Sequence, residues 1–174
     1  ENIVTGGVGG STWIAGSGTG GSGSGGGIYC TNSLSKRNCL FVGNSANGGD
    51  GGYDEYTPGD GGIGYGGGLY CINSQAITNC TLYNNVTNGG AGWQGDYYTS
   101  DDGNGYGGGI FCDSSQVIVN SILWKNMPDQ LGGQDCSKVT YSDISNGICD
   151  GQIGNISADP CFVDSNNNHY RLES

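Results

Sequence analysis

Apolar residues in this chain come in short pieces of at most four, and the pieces return on a fixed interval. GGGIYC at Gly25 to Cys30 comes back as GGGLYC at Gly66 to Cys71 and as GGGIFC at Gly107 to Cys112, 41 residues later each time. The alignment continues through Ser33/Ser74/Ser115, Asn38/Asn79/Asn120, Phe41/Leu82/Leu123 and Asn44/Asn85/Asn126. Helical repeats need long stretches of period 3.6, whereas these pieces are β-branched or aromatic and punctuated by Asn, Ser and Gly. Short strands are therefore expected: one at IYC, a turn through TNS, a second across SKRNCLF or AITNCTL, and a third near NSA or NVT.

A period of this size means stacked supersecondary units. Equivalent residues of successive coils would lie about 4.8 Å apart, the spacing of neighbouring strands. Ile28, Leu69 and Ile110 would then fill an interior, and Asn38, Asn79 and Asn120 would form a hydrogen-bonded asparagine ladder at a bend. The expected fold is all-β: a parallel β-helix, or solenoid, of about five coils in one domain spanning 1–174. Its parts are a partial first coil and insert at 1–24, repeat coils at 25–65, 66–106 and 107–138, and C-terminal coils at 139–174.

The pairing of Gly26, Gly27 and Ile28 with Phe41 and Asn44 has the form GG-[GA]-I with F-x-x-N, softened to Leu82 with Asn85 and Leu123 with Asn126. In these residues the chain resembles bacterial right-handed parallel β-helix repeat proteins, and is similar to polymorphic outer-membrane protein repeats and secreted adhesin-type β-helices. The segment from Val139 to Leu172 is similar to the closing coils of secreted β-helix proteins. The resemblance implies a right-handed, single-stranded coil and an extracellular or cell-surface location.

A coil needs only about two dozen residues, so the rest of each period is insert. The inserts begin GGVGG at Gly6, GGDGG at Gly48 and GGAGW at Gly89, and the last two keep their length. They are expected to stack as ordered flank loops, where solenoids commonly carry function. Trp13, Tyr53, Tyr56, Trp93, Tyr97 and Tyr98 are candidate contacts for sugar rings or a neighbouring subunit. The alternative is that these rings pack under their own loops. Asp50, Asp54, Glu55, Asp60, Asp96, Asp101 and Asp102 are candidate Ca²⁺ ligands. Their spacing meets no known calcium motif, and a solvated acidic loop is the competing reading. No other cofactor is implied.

The formal charge of −11, with five Lys and Arg, makes nucleic acid a poor partner. No apolar run is long enough for membrane insertion. No basic and apolar leader begins the chain, which reads as mature or trimmed material. Eight cysteines without a C-x-x-C point to an oxidising compartment. Spacing suggests the pairs Cys30–Cys39, Cys71–Cys80, Cys112–Cys136 and Cys149–Cys161; stacked, reduced thiols inside the coil are the rival.

Catalysis is not expected. The cations do not recur at equivalent positions, the acidic pairs Asp54–Glu55 and Asp101–Asp102 are sequence neighbours, and no nucleophile, phosphate-loop or zinc motif occurs. The chain starts mid-coil with no capping helix in the sequence, so it is either part of a longer rod or built for its ends to meet. The leading expectation is an extracellular structural or adhesive protein that stacks head to tail on itself into a filament or surface rod. A carbohydrate- or Ca²⁺-binding surface module ranks second, with surface glycans as partner. A polysaccharide lyase or glycoside hydrolase ranks third.

Overall fold

The computed structural model describes residues 1–12, 16–33, 35–95, 97–112 and 116–173. The first coil holds β1 (Ile3–Thr5), β2 (Gly23–Ser24), β3 (Ile28–Thr31), β4 (Lys36–Arg37) and β5 (Leu40–Val42). The second holds β6 (Ser45–Asn47), β7 (Gly64–Tyr65), β8 (Leu69–Ile72), β9 (Ile77–Thr78) and β10 (Thr81–Tyr83). The third holds β11 (Val86–Asn88), β12 (Gly105–Tyr106), β13 (Ile110–Cys112), β14 (Ile118–Val119) and β15 (Ile122–Trp124). A fourth, without an insert, holds β16 (Leu131–Gly132), β17 (Val139–Thr140) and β18 (Asp143–Ile144). Like strands stack in parallel, giving the columns β1-β6-β11, β2-β7-β12, β3-β8-β13-β16, β4-β9-β14-β17 and β5-β10-β15-β18. This is a parallel β-solenoid of four to five coils.

The segment SKRNCLF is two strands rather than the single one expected. Asn38 stands between them at φ 53°, and Asn79 and Asn120 repeat this at 54° and 50°. Asparagine tolerates that left-handed conformation better than other side-chain-bearing residues, so each marks a corner. Along the corner the Asn79 amide donates to Asn38 Oδ1 at 3.3 Å, and Asn120 to Asn79 Oδ1 at 2.7 Å.

Inside, Leu69, Ile110 and Leu131 form one apolar column, Ile77, Ile118 and Val139 a second, and Phe41, Leu82, Leu123 and Ile144 a third. Burying each such side chain contributes about 1.5–3 kcal/mol. Lys36 holds the first-coil place in the second column. A buried polar column runs beside them. Asn44 donates from its backbone and side-chain nitrogens to Asn85 Oδ1, and Asn85 does the same to Asn126 Oδ1, all at 2.9 Å. The Asn85 amide also donates to the Phe41 carbonyl, and that of Asn126 to the Leu82 carbonyl. This is the physical content of F-x-x-N: asparagine ties its own coil to the apolar strand of the coil before.

The tail does not simply add coils. Tyr141 and Ile144 donate to the carbonyls of Ile153 and Ile156, which adds one loose turn. Then β19 (Phe162–Asp164) and β20 (His169–Leu172) form an antiparallel hairpin. Phe162 and Tyr170 pack on Tyr83, whose ring lies on the outer face of β10.

Candidate functional site

Each insert leaves the core as one extended arm and returns as another. On the outgoing arm Gly6, Gly9 and Thr12 donate to the carbonyls of Asn47, Asp50 and Tyr53 in the next insert, and Gly48 and Gly51 donate to Asn88 and Ala91. On the returning arm Gly20 and Gly23 donate to Asp60 and Ile63, and Gly61 and Gly64 to Asp101 and Asn104. The donors recur every third residue, the periodicity of a polyproline-II-like chain. Between arms, Gly18 and Gly21 donate to Gly10 and Gly7, while Gly52 and Gly49 donate back to Gly18 and Gly21. Two of the three faces of each arm thus meet backbone. A Cβ on Gly6 would lie 1.8 Å from the Gly21 carbonyl oxygen, so those faces are glycine by necessity. The inserts are a hydrogen-bonded three-layer bundle on one flank of the solenoid.

Four of the acidic candidates, Asp50, Asp54, Asp60 and Asp102, serve this bundle as caps, while Asp101 takes part through its backbone. Asp50 accepts from the Ala91 amide, Asp60 from the Asp101 amide and Asp102 from the Gly92 amide. Asp54 is buried and accepts from the amides of Thr57 and Tyr56 and from the Thr12 hydroxyl, which hold its carboxyl below the usual range. Glu55 is exposed. Among the described residues, no three His, Cys, Asp or Glu side chains converge to hold a metal ion. Asp96 and Trp13 lie outside the described residues.

At the insert tips Tyr53 meets Trp93 edge to face with centroids 5.1 Å apart, and Tyr56 meets Tyr98 at 6.4 Å. Tyr53, Asp54, Glu55, Trp93, Tyr97 and Tyr98 line a pocket of about 330 Å³, with Tyr97 87% exposed. Loop packing and an accessible face therefore coexist there.

A larger aromatic surface went unassigned in the sequence. Tyr29, Tyr70 and Phe111 stack face to face down the outer side of β3, β8 and β13, at 4.9 and 5.5 Å. Tyr65 and Tyr106 form a second column beside them, 5.8 Å apart. The signal was the aromatic at the fifth place of each repeated hexapeptide, with the tyrosine of GYGGG before it. A cleft of about 660 Å³ also lies between the corner residues Asn38 and Asn79 and the hairpin residues His169, Tyr170 and Arg171.

The cysteines pair differently from the spacing-based expectation. The disulfide is Cys136–Cys149, which replaces both Cys112–Cys136 and Cys149–Cys161. Cys112 faces inward in register with Cys71 and Cys30, and Cys136 is taken by Cys149. Cys30, Cys39, Cys71, Cys80, Cys112 and Cys161 are not in disulfides, so Cys30–Cys39 and Cys71–Cys80 are not formed either. The corner at Asn38 places Cys39 on a different column from Cys30, and the thiols meet along the axis instead. Burial first, then the hydrogen bond with Cys30, pushes Cys71 up to about 12. Burial alone would raise Cys30 too, but hydrogen bonds from Cys71, Lys36, Ser33 and Ser74 bring it below the ordinary thiol value.

No family model, curated protein or solved structure matches this chain.

Proposed function

We propose that this protein is an extracellular or cell-surface structural β-solenoid of adhesin type that self-associates end to end into a rod or filament. The observation that carries this reading is the stacking of like strands in five parallel columns, which makes the solenoid axis the natural axis of a rod. The likeness of the repeat to polymorphic outer-membrane protein and adhesin-type β-helices supports the surface location, as does the Cys136–Cys149 disulfide. Sedimentation velocity across a concentration series tests the reading. Growth into larger species is expected, whereas a single 17.8 kDa species at every concentration would overturn it.

The tip pocket favours a second reading, a carbohydrate- or Ca²⁺-binding module, because exposed rings and carboxylates share one cavity. Glycan-array binding that is lost in Trp93→Ala would support it, and an array without signal would set it aside.

A further inference from the structure

Basic side chains are scarce in this molecule, five Lys and Arg and one His against sixteen Asp and Glu. Where they stand therefore decides where an anion is accepted. Four cavities of about 330 to 760 Å³ are each lined by a carboxylate and by no basic side chain. The carboxylates are Asp54 and Glu55 at the insert tips, Asp102 at the glycine arms, Asp143 and Asp159 by the C-terminal turn, and Glu1 near β5. The cleft of about 660 Å³ between the asparagine corner and β20 reverses the pattern. His169 and Arg171 line it, and no carboxylate does.

Strand alternation places the two cations. Residues two apart on a strand share a face, so His169 and Arg171 stand together on β20 while Tyr170 points the other way. The Tyr170 ring packs on Tyr83 and Phe162, with centroids 5.2 and 5.6 Å apart, which anchors β20 to the outer face of β10. Asp164 is the register partner of His169, but its carboxylate accepts from the Asn167 side-chain amide at 2.6 Å and stays out of the cleft lining. The Arg171 guanidinium has no hydrogen bond or ion pair among the described residues. It is the cation left wholly to a ligand.

The opposite wall is neutral and polar. The Asn79 amide donates to Asn38 Oδ1 at 3.3 Å, which fixes both carboxamides along the corner. Thr81 adds a hydroxyl, and Leu40, 54% exposed, an apolar surface. Carboxamides and hydroxyls each donate and accept, as the hydroxyls of a sugar do. Leu40 and Tyr170 suit the C–H face of a pyranose ring. The volume falls within the roughly 300–1,000 Å³ of small-molecule sites. Two cations are too few for the phosphate backbone of a nucleic acid.

We infer that this cleft is a binding site for an acidic saccharide, whose anionic group pairs with Arg171 and His169 while its hydroxyls meet Asn38, Asn79 and Thr81. The guanidinium presents its donors as a planar fork that matches a carboxylate in two hydrogen bonds. At physiological salt, exposed charges more than about 8 Å away are screened, so the local cations outweigh the remote carboxylates. The cleft opens sideways from the solenoid, and its occupancy is independent of self-association. It also differs in kind from the insert-tip pocket, whose carboxylates would repel the same ligand.

The test is an NMR titration of the whole chain at physiological salt, read at backbone and asparagine side-chain amides. The probes are oligosaccharides carrying a glucuronate, a sialate or a sulfate group, each beside its neutral counterpart. At least one acidic probe is expected to shift the Asn38 and Asn79 side-chain amides, with the neutral counterparts binding about tenfold more weakly or worse. Arg171→Ala is expected to weaken binding about tenfold or more at an unchanged melting temperature, Arg171→Lys by less, and Trp93→Ala not at all. Comparison of the carboxylate and sulfate probes then identifies the anionic group. Failure of every acidic probe at millimolar concentration, equal binding of acidic and neutral probes, or wild-type binding by Arg171→Ala would each overturn the inference. Binding lost in Trp93→Ala but kept in Arg171→Ala would assign the saccharide to the insert tips instead.

Discussion

Replacing Asn85 by alanine separates two kinds of asparagine ladder in this solenoid. Asn85 is fully buried, and its Oδ1 accepts from the Asn44 backbone and side-chain nitrogens, both at 2.9 Å. Its Nδ2 donates to the Phe41 carbonyl at 3.0 Å and to Asn126 Oδ1 at 2.9 Å. Truncation strands the Asn44 N–H and the Asn44 side-chain amide where water cannot replace the lost partner. A buried polar group left unsatisfied costs about 1–3 kcal/mol, so two of them cost about 2–6 kcal/mol. That is a large part of the roughly 5–15 kcal/mol that holds a typical domain. The comparator is Asn88→Ala on the exposed ladder, where the Asn88 amide donates to Asn47 Oδ1 at 2.9 Å. Water substitutes there, and a change within about 0.5 kcal/mol is expected. Urea unfolding of both variants, read as midpoint shifts at constant slope, gives the comparison. A loss below about 1 kcal/mol for Asn85→Ala, or one no larger than for Asn88→Ala, would refute the claim that this column binds the coils together.

Three further outcomes follow from the geometry. At the corner, Asn79→Ala should lower stability by about 1–2 kcal/mol because alanine resists a φ of 54°, whereas Asn79→Gly should lose less; equal losses would mean that the ladder bond outweighs the backbone. Asp143 has its carboxyl raised by burial, opposed by the Ala158 amide and assisted by Asp159. A raised folded value favours folding below the unfolded value of about 3.9 and loses that contribution as pH rises through the folded one. Asp143→Asn should therefore raise the melting temperature at pH 7, with the gain vanishing below about pH 4; no gain at pH 7 would contradict this. Brief iodoacetamide treatment of the folded protein should label exposed Cys161 and spare buried Cys71 and Cys112. Mapping of the unreduced digest should recover Cys136–Cys149, and a Cys71–Cys80 crosslink would show the assigned columns to be wrong.

The stacking was legible in the sequence because a strict period needs no geometry to read: residues 41 apart must share an environment if one structure serves all three copies. The inward column of Leu69 and Ile110 follows directly from it. The corner at Asn38 was harder, since an asparagine inside an apolar strand pattern reads equally as an outward residue until its positive φ is known. The disulfide was illegible for a related reason. Counting residues between cysteines ignores the turn that sends Cys30 and Cys39 to different columns. The aspartates of the inserts looked like cation ligands because composition shows charge but not the amides each one faces, and Asp102 capping Gly92 appears only once two arms lie side by side. The hairpin that covers Tyr83 depends on a long-range contact with Phe162 and Tyr170, which no local pattern announces.

The central claim is that these solenoids associate end to end along the axis of their stacked strands. Negative-stain electron microscopy across a protein-concentration series, with and without a calcium chelator, tests it most directly. The account predicts particles that lengthen along the solenoid axis as concentration rises, equally in both conditions because the insert aspartates cap amides. Short particles of one length at every concentration would contradict it, and assemblies that dissolve under chelation would show that a cation bridges the inserts instead.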